Sequence, residues 1–443
     1  MPFVELCKGI TKYAVIVMEP QDILWCLDYA LWMAKEGRPG PVVVDVPDDI
    51  QRAEVDEATL KRFTPPVMQG FIEPRMGING TVKRPVVALG WGVHLAGARK
   101  EAWDFVTRLG APCVTTWGGA DIMAGHPLFV GTWGTHGVRA ANFAIQNADL
   151  VVAVGTRLDT KATGSPASSF APKAQLVMVD IDPAEIRKME TIGRPCTGIQ
   201  KDAKAFMEKF DLKGDFADWR EKVAGWQRDY PAILPEYGPE SPYRIMEQLA
   251  EYLTADDVVV SDTGCPLAWA MQTIPFKGRF IHAFNQTPMG YGLGAAIGVA
   301  GEHKGRVVLL TGDGGLSECI NELATIAKHN LNIKIILFNN RGHAMCRQTQ
   351  KQWLGGVYHG TSDKDLATPN FTLIASAYEI KTWHEPDETY AGIENLMTKS
   401  EGPSFLEIHV DQEQGVIPQA RFGAPIEDQE PVLPREELAE VMT

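Results

Sequence analysis

Residues Arg306 to Met345 read RVVLLTGDGGLSECINELATIAKHNLNIKIILFNNRGHAM, and this stretch decides the fold. An apolar run, Val307 to Leu310, reads as a buried strand that ends at Thr311-Gly312-Asp313-Gly314. Ile320, Leu323, Ala324 and Ala327 then recur at spacings of three and four, the helical period. A second apolar run, Ile333 to Phe338, ends at Asn339-Asn340. Strand, helix and strand make a βαβ unit, and parallel sheets place ligands at the carboxyl ends of their strands. Asp313 and Asn340 are therefore expected to face one crevice. One carboxylate, one amide oxygen and a nearby backbone carbonyl, that of Gly342, suit a hard divalent cation. Mg²⁺ held this way completes its octahedron with waters and phosphate oxygens. Gly312, Gly314 and Gly315 let backbone N–H groups approach a diphosphate. A lone Gly-Asp-Gly also marks ordinary strand-end turns; the clean strand-helix-strand up to the asparagine pair is what tips the reading.

Working outward, 443 residues are enough for two or three domains with full cores. The net charge of −14, without a basic run, argues against nucleic acid and anionic membrane surfaces as partners. Seven scattered cysteines show no zinc or disulfide spacing, so a cytoplasmic protein is expected. No signal-peptide core and no membrane-spanning run is visible.

The expected fold class is α/β, with consecutive doubly wound parallel-sheet domains. Residues 1–50 hold a helical pattern (Ile23, Leu24, Leu27, Ala30, Leu31) and a strand, Val42 to Val46, as in the end of an α/β domain. Residues 51–82 read as a linker. A central nucleotide-binding-like domain spans 83–212, with strands at Pro85–Leu89, Cys113–Thr116, Leu150–Val154 and Gln175–Ile181. The charged stretch 213–240 reads as a second linker, 241–425 as the diphosphate- and Mg²⁺-binding domain, and 426–443 as a tail on the surface.

Other motifs are weaker alone. Asn285-Gln286-Thr287-Pro288-Met289-Gly290-Tyr291-Gly292 puts small residues at a helix start, which close helix packing also explains. Strand Val258–Val260 runs into Ser261-Asp262-Thr263-Gly264-Cys265, and Asp-Thr-Gly also marks plain turns; Cys265 has no His/Asn partner motif and is not read as a nucleophile. Gly90-Trp91-Gly92 after a strand suits a nucleotide phosphate near a helix start, without the full dinucleotide fingerprint. His343 and His359 stand near the metal motif as acid/base candidates or as solvated histidines.

The 306–345 segment closely resembles the thiamine diphosphate signature, and the chain from Phe3 to Leu406 resembles acetolactate synthase large subunits. That resemblance implies an order of pyrimidine-binding, central and diphosphate-binding domains. It implies Mg²⁺ on Asp313, Asn340 and the Gly342 carbonyl, with the diphosphate near Thr263, Gly264, Cys265, Gly312, Gly314 and Gly315. His343, Ala344 and Met345 would complete the cofactor surroundings. Met289 would wedge between the two cofactor rings, and the Thr287 carbonyl would accept from the exocyclic amine. Gly90, Trp91, Gly92, Gly155, Thr156, Arg157, Asp180 and Asp182 would line an FAD site. The implied reaction is decarboxylation of a 2-ketoacid such as pyruvate, with acyl transfer to an acceptor, in a homodimer or tetramer.

The resemblance has departures. The pyrimidine-contacting glutamate has no counterpart in residues 1–50, since Glu5 and Glu19 fall in the wrong segments. The expectation is that the rest of that domain was cut from this chain or belongs to a separate chain, and that this chain alone works poorly. Where the family carries an RFDDR segment that helps bind the second ketoacid, this chain has Arg157-Leu158-Asp159-Thr160-Lys161, and Thr349 replaces a pocket Trp. Lysine does not grip a carboxylate bidentately as arginine does. A 2-ketoacid decarboxylase or lyase, and a truncated non-catalytic cofactor-binding protein, are the alternatives.

Overall fold

The computed structural model describes residues 2–66, 78–283, 286–383 and 389–442. The chain forms two compact units, Met1–Arg75 with Ile181–Glu185, and Met76–Asp180 with Ile186–Thr443.

In the smaller unit, strands β1 (Tyr13–Ile16) and β2 (Val42–Asp45) pair in parallel around the helix Ile23–Lys35. The helix and β2 match the sequence pattern; β1, four residues long, was not expected. Two strands and a helix cannot cover their own apolar faces. Ile16, Met18, Leu27 and Leu31 stay exposed. Trp25, Tyr29 and Trp32 cluster with Phe63, ring centroids 5.0–5.9 Å apart, and tie the helix to the residues beyond it. Part of the expected 51–82 linker, residues 67–77, lies outside the described residues.

The larger unit contains two six-stranded parallel sheets, which is the doubly wound α/β class expected. The first comprises β3 (Pro85–Leu89), β4 (Cys113–Thr115), β5 (Phe129–Thr132), β6 (Leu150–Val154), β7 (Gln175–Asp180) and β8 (Thr197–Gln200), in the order β5-β4-β3-β6-β7-β8. The second comprises β9 (Val258–Ser261), β10 (Arg279–Ile281), β11 (Val307–Gly312), β12 (Ile333–Asn339), β13 (Lys381–Trp383) and β14 (Ser404–His409), in the order β10-β9-β11-β12-β14-β13. Strands β3, β6 and β12 are buried at every residue, because helices cover both faces. Each sheet grows outward from its first strand and then returns to that strand's other side. The winding therefore reverses between β3 and β6 in one sheet and between β9 and β11 in the other. Loops leaving such a pair of strands diverge and open a crevice.

Two expectations about connections need correcting. Residues 213–240 are not merely a linker: the helix Ala217–Asp229 buries Trp219, Val223 and Trp226 in the core of the first sheet. Its charges hide three apolar residues spaced four and three apart, one helical stripe. The tail is not merely on the surface either. Ile426 and Val441 enter the same core, Asn142 Nδ2 donates to Ile426 O at 2.8 Å, and Gln429 Nε2 donates to Gly137 O at 2.7 Å.

Candidate metal and diphosphate site

The reversal in the second sheet brings three polar strand ends together. Asp262 follows β9, Asp313 follows β11 and Asn340 follows β12, with β11 between the other two strands. Asp313 opens the short helix Asp313–Ser317 and is 4% exposed. Its Oδ1 accepts the Gly314 N–H at 3.0 Å and its Oδ2 the Gly342 N–H at 2.9 Å. The second bond seats the 340–342 turn against the carboxylate. Burial pushes the Asp313 carboxyl above the usual range, and the two backbone N–H groups only partly offset this.

The two asparagines differ. Asn339 has both polar atoms of its amide engaged: its Nδ2 donates to Glu407 Oε1 at 2.7 Å and its Oδ1 accepts the Arg341 N–H at 2.9 Å. Asn340 Oδ1 is buried and has no hydrogen-bond partner among the described residues. A buried acceptor without a donor costs about 1–3 kcal/mol. A buried carboxylate supplied only with neutral donors is also costly. A hard cation relieves both at once, so this donor set fits Mg²⁺. Among the described residues no cluster of three His, Cys, Asp or Glu side chains offers an alternative metal centre.

Gly314 is where three segments converge. A Cβ there would lie 2.6 Å from His343 Cε1 and 2.8 Å from Met289 Cε. A Cβ on Gly315 would lie 2.6 Å from Asp262 Oδ2, and one on Gly342 would strike Thr361 O. Met289 is 40% exposed, and Thr287 holds a left-handed φ of +39°. Gly290, with φ +82°, precedes the helix Tyr291–Glu302. Asn285, the first residue of that motif, lies outside the described residues. Gly264, with φ +95°, precedes the helix Cys265–Thr273. Cys265 is 3% exposed and burial pushes its thiol up to about 12, which agrees with its not being a nucleophile. Ala344 is buried, and Met345 packs on the core beside Trp269 and Phe338. His359 is exposed, and its N–H is bonded to Gln350 Oε1, so its backbone rather than its ring is engaged.

Asp262 is the residue the sequence reading passed over. It is 1% exposed and accepts the Thr263 N–H at 2.7 Å, the Gly290 N–H at 3.1 Å and the Thr311 hydroxyl at 3.4 Å. It thus staples the loop after β9 to the Met289 segment and to β11. An acid just after a strand of three valines and a serine, with a glycine-rich helix start elsewhere in the chain, was the available signal.

In the first sheet, Gly90, Trp91 and Gly92 follow β3, and Gly155, Thr156 and Arg157 follow β6, so the winding reversal brings them together. A Cβ on Gly92 would lie 2.6 Å from Gly155 Cα, and one on Gly90 2.7 Å from Thr156 Cβ. The Gly90 and Gly92 N–H groups already donate to Val154 O at 3.0 Å and Gly155 O at 2.8 Å. Asp180 ends β7, and Asp182 stands two residues beyond it. Lys161 Nζ sits 4.9 Å from the Trp117 ring centroid, and His282 is bonded to Trp117 O at 3.1 Å. Burial lowers the Lys161 ammonium and holds His136 and His282 down at about 4. Thr349 bonds back to Met345 O at 3.0 Å within its own helix.

Residues 80–210 match the family model described as thiamine pyrophosphate enzyme, central domain. Residues 262–408 match thiamine pyrophosphate enzyme, C-terminal TPP binding domain. The chain is 32% identical over 437 residues to acetolactate synthase isozyme 2 large subunit of Escherichia coli (strain K12), covering 95% of this chain and 77% of that protein. It is 30% identical over 431 residues to the isozyme 1 large subunit of the same organism, covering 94% and 75%. It is 30% identical over 457 residues to acetolactate synthase 2, chloroplastic, of Zea mays, covering 96% and 70%. The chain belongs to the thiamine pyrophosphate enzymes of the acetolactate synthase large-subunit family.

Proposed function

We propose that the chain decarboxylates a small 2-ketoacid, pyruvate first among them, and passes the acyl group to an acceptor, using thiamine diphosphate and Mg²⁺. The observation that carries this reading is the orphaned Asn340 Oδ1 beside a buried Asp313 that has only backbone donors. Asp313, Asn340 and the Gly342 carbonyl would hold the metal, and the metal would hold the diphosphate. The cofactor, when bound, supplies the electron sink for loss of CO₂. The chain's own residues supply position and dryness. Asp262 fixes the Met289 segment, Gly314 lets Met289 and His343 approach the diphosphate side, and Thr287 presents its backbone from a left-handed turn. Lys161 is the candidate grip on the acceptor's carboxylate.

An FAD in the first sheet draws no support from Gly90 and Gly92, the glycines expected to line it. Gly90 and Gly92 are accounted for by their contact with the Gly155–Thr156 backbone, and their N–H groups are already used. No part of the proposed reaction passes through it. Met289 at 40% exposure needs a cover if reactive species are to be kept from water, so the proposed working form is a homodimer or tetramer. All seven cysteines are free, which supports a cytoplasmic setting. No helix among the described residues is long and apolar enough to cross a membrane.

Calorimetric titration with thiamine diphosphate and Mg²⁺ tests the reading. The parent chain is expected to bind in a Mg²⁺-dependent manner, and Asp313→Ala to lose that binding by at least about a hundredfold, or roughly 2.7 kcal/mol. Unchanged affinity in the variant would overturn the metal assignment. Release of CO₂ from pyruvate by the loaded protein separates an enzyme from a binding protein.

A further inference from the structure

The turn that closes β12 also opens onto a second cavity. Its volume is about 570 Å³, and its lining includes Asn339, Arg341, Asp363, Thr372, Glu407 and His409. It lies at the carboxyl ends of β12 and β14, where Asn339 pairs with His409 in the ladder. That edge is where open α/β sheets take ligands. Asn339 and Arg341 line it and Asn340 between them does not. The turn thus faces this cavity with the residues on either side of Asn340.

The cavity carries charge of both signs. Glu407 is 8% exposed and held by neutral donors: Asn339 Nδ2 at 2.7 Å on Oε1, then the Thr372 hydroxyl at 2.7 Å and its N–H at 3.3 Å on Oε2. Oε1 keeps a lone pair for a further donor. His409 Nε2 stands 4.0 Å from it with its side chain half-exposed. Asp363 is exposed, and its carboxylate has no partner among the described residues. Arg341 is exposed too, and its guanidinium has none. Its backbone sits at a φ of +55°, locked by its N–H on Asn339 Oδ1 and by Gln412 Nε2 on its carbonyl at 3.0 Å. A non-glycine residue in that region is strained, so this presentation of the side chain is imposed by its surroundings.

We propose that this cavity binds a small zwitterion of the α-amino-acid type, its carboxylate on Arg341 and its ammonium on Asp363 and the free lone pair of Glu407. A bare anion would meet two carboxylates. A bare metal ion lacks the arrangement it needs, since the cavity's acids and histidine do not form a metal-holding group among the described residues. A ligand with one charge of each sign matches the arginine and the acids together. The volume lies within the roughly 300–1,000 Å³ range of small-molecule pockets. None of these groups is a proposed cofactor ligand, so the inference stands independently of the thiamine diphosphate reading.

The test uses the full chain without cofactor, titrated calorimetrically with L-alanine, acetate and methylammonium. L-alanine is expected to saturate on the order of 1 mM, with each one-ended probe at least about tenfold weaker. Asp363→Asn and Arg341→Gly should each weaken L-alanine by about tenfold or more. Glycine takes a positive φ freely, so the second variant should fold and melt no lower than the parent. Absence of saturation by L-alanine, equal binding of acetate and L-alanine, or unchanged affinity in both variants would each overturn the proposal.

Discussion

The two six-stranded sheets share one winding and one glycine-rich reversal, yet the glycines at the two reversals meet different neighbours. At the β3/β6 reversal, Gly90 and Gly92 lie against the backbone of Gly155 and Thr156, and their N–H groups are paired. At the β9/β11 reversal, Gly314 and Gly315 make room for side chains, and the neighbouring turn leaves Asn340 Oδ1 buried and unpaired. Glycine at a strand end therefore does not itself announce a ligand. It permits close approach, and at Gly90 and Gly92 what approaches is the protein's own backbone. The stronger sign is a buried acceptor without a donor next to a buried carboxylate that has only neutral backbone donors, because a cation offsets the cost of both.

The sharpest way to break the comparison is to remove the unsatisfied acceptor. Asn340→Ala should weaken Mg²⁺-dependent cofactor binding by about a hundredfold, close to 2.7 kcal/mol, while the free protein melts no lower than the parent. A variant that melts much lower and still binds cofactor would show that Asn340 serves the fold and not the metal. Asn339→Ala is the matched control, since it strips Glu407 of a donor and should cost stability instead.

Next comes a pair of glycine substitutions. Gly92→Ala should lower stability by about 2 kcal/mol in chemical unfolding, because its methyl strikes fixed backbone. Gly314→Ala strikes only the ends of His343 and Met289, which can swing aside, so it should cost less stability and more cofactor affinity. Equal losses of stability in the two variants would erase the distinction between the crevices.

The smallest expected effect lies at the opposite end of β12. Lys334 is 1% exposed, its Nζ donates to Ser400 O at 2.8 Å and Gly402 O at 2.6 Å, and no carboxylate among the described residues pairs with it. Burial, with Arg306 and Lys381 nearby, lowers its ammonium to about 8. A lysine depressed in the folded state is bound to fewer protons there than in the unfolded chain between about pH 8 and 10.5. Stability attributable to it must therefore rise with pH across that window, by about 1 kcal/mol from pH 8 to 9. Lys334→Met should flatten that rise relative to the parent in denaturant titrations at the two pH values. An identical pH dependence in both proteins would contradict the assignment.

How much of this was legible varies by element. Buried central strands such as Leu150–Val154 and Ile333–Asn339 announce themselves, since every residue is apolar or nearly so. The short edge strands Phe129–Thr132, Thr197–Gln200 and Lys381–Trp383 do not, because three or four half-exposed residues carry no distinctive pattern. The helix Ala217–Asp229 read as a connector because its charges outnumber its buried tryptophans in composition.

By itself, the sequence determined the α/β class, the buried central strands and the placement of Asp313 and Asn340 at strand ends. Those follow from local periodicity and from the chemistry of single residues. Only the tertiary structure decided that Asn339 is spent on Glu407 while Asn340 is not, that Asp262 staples three loops, and that Gly90 packs on backbone. Each of these depends on which partner a group meets across residues distant in sequence. The pattern of one strand limits where its end can lie, but whether a buried polar atom is satisfied is settled only when the neighbouring strands and loops are in place.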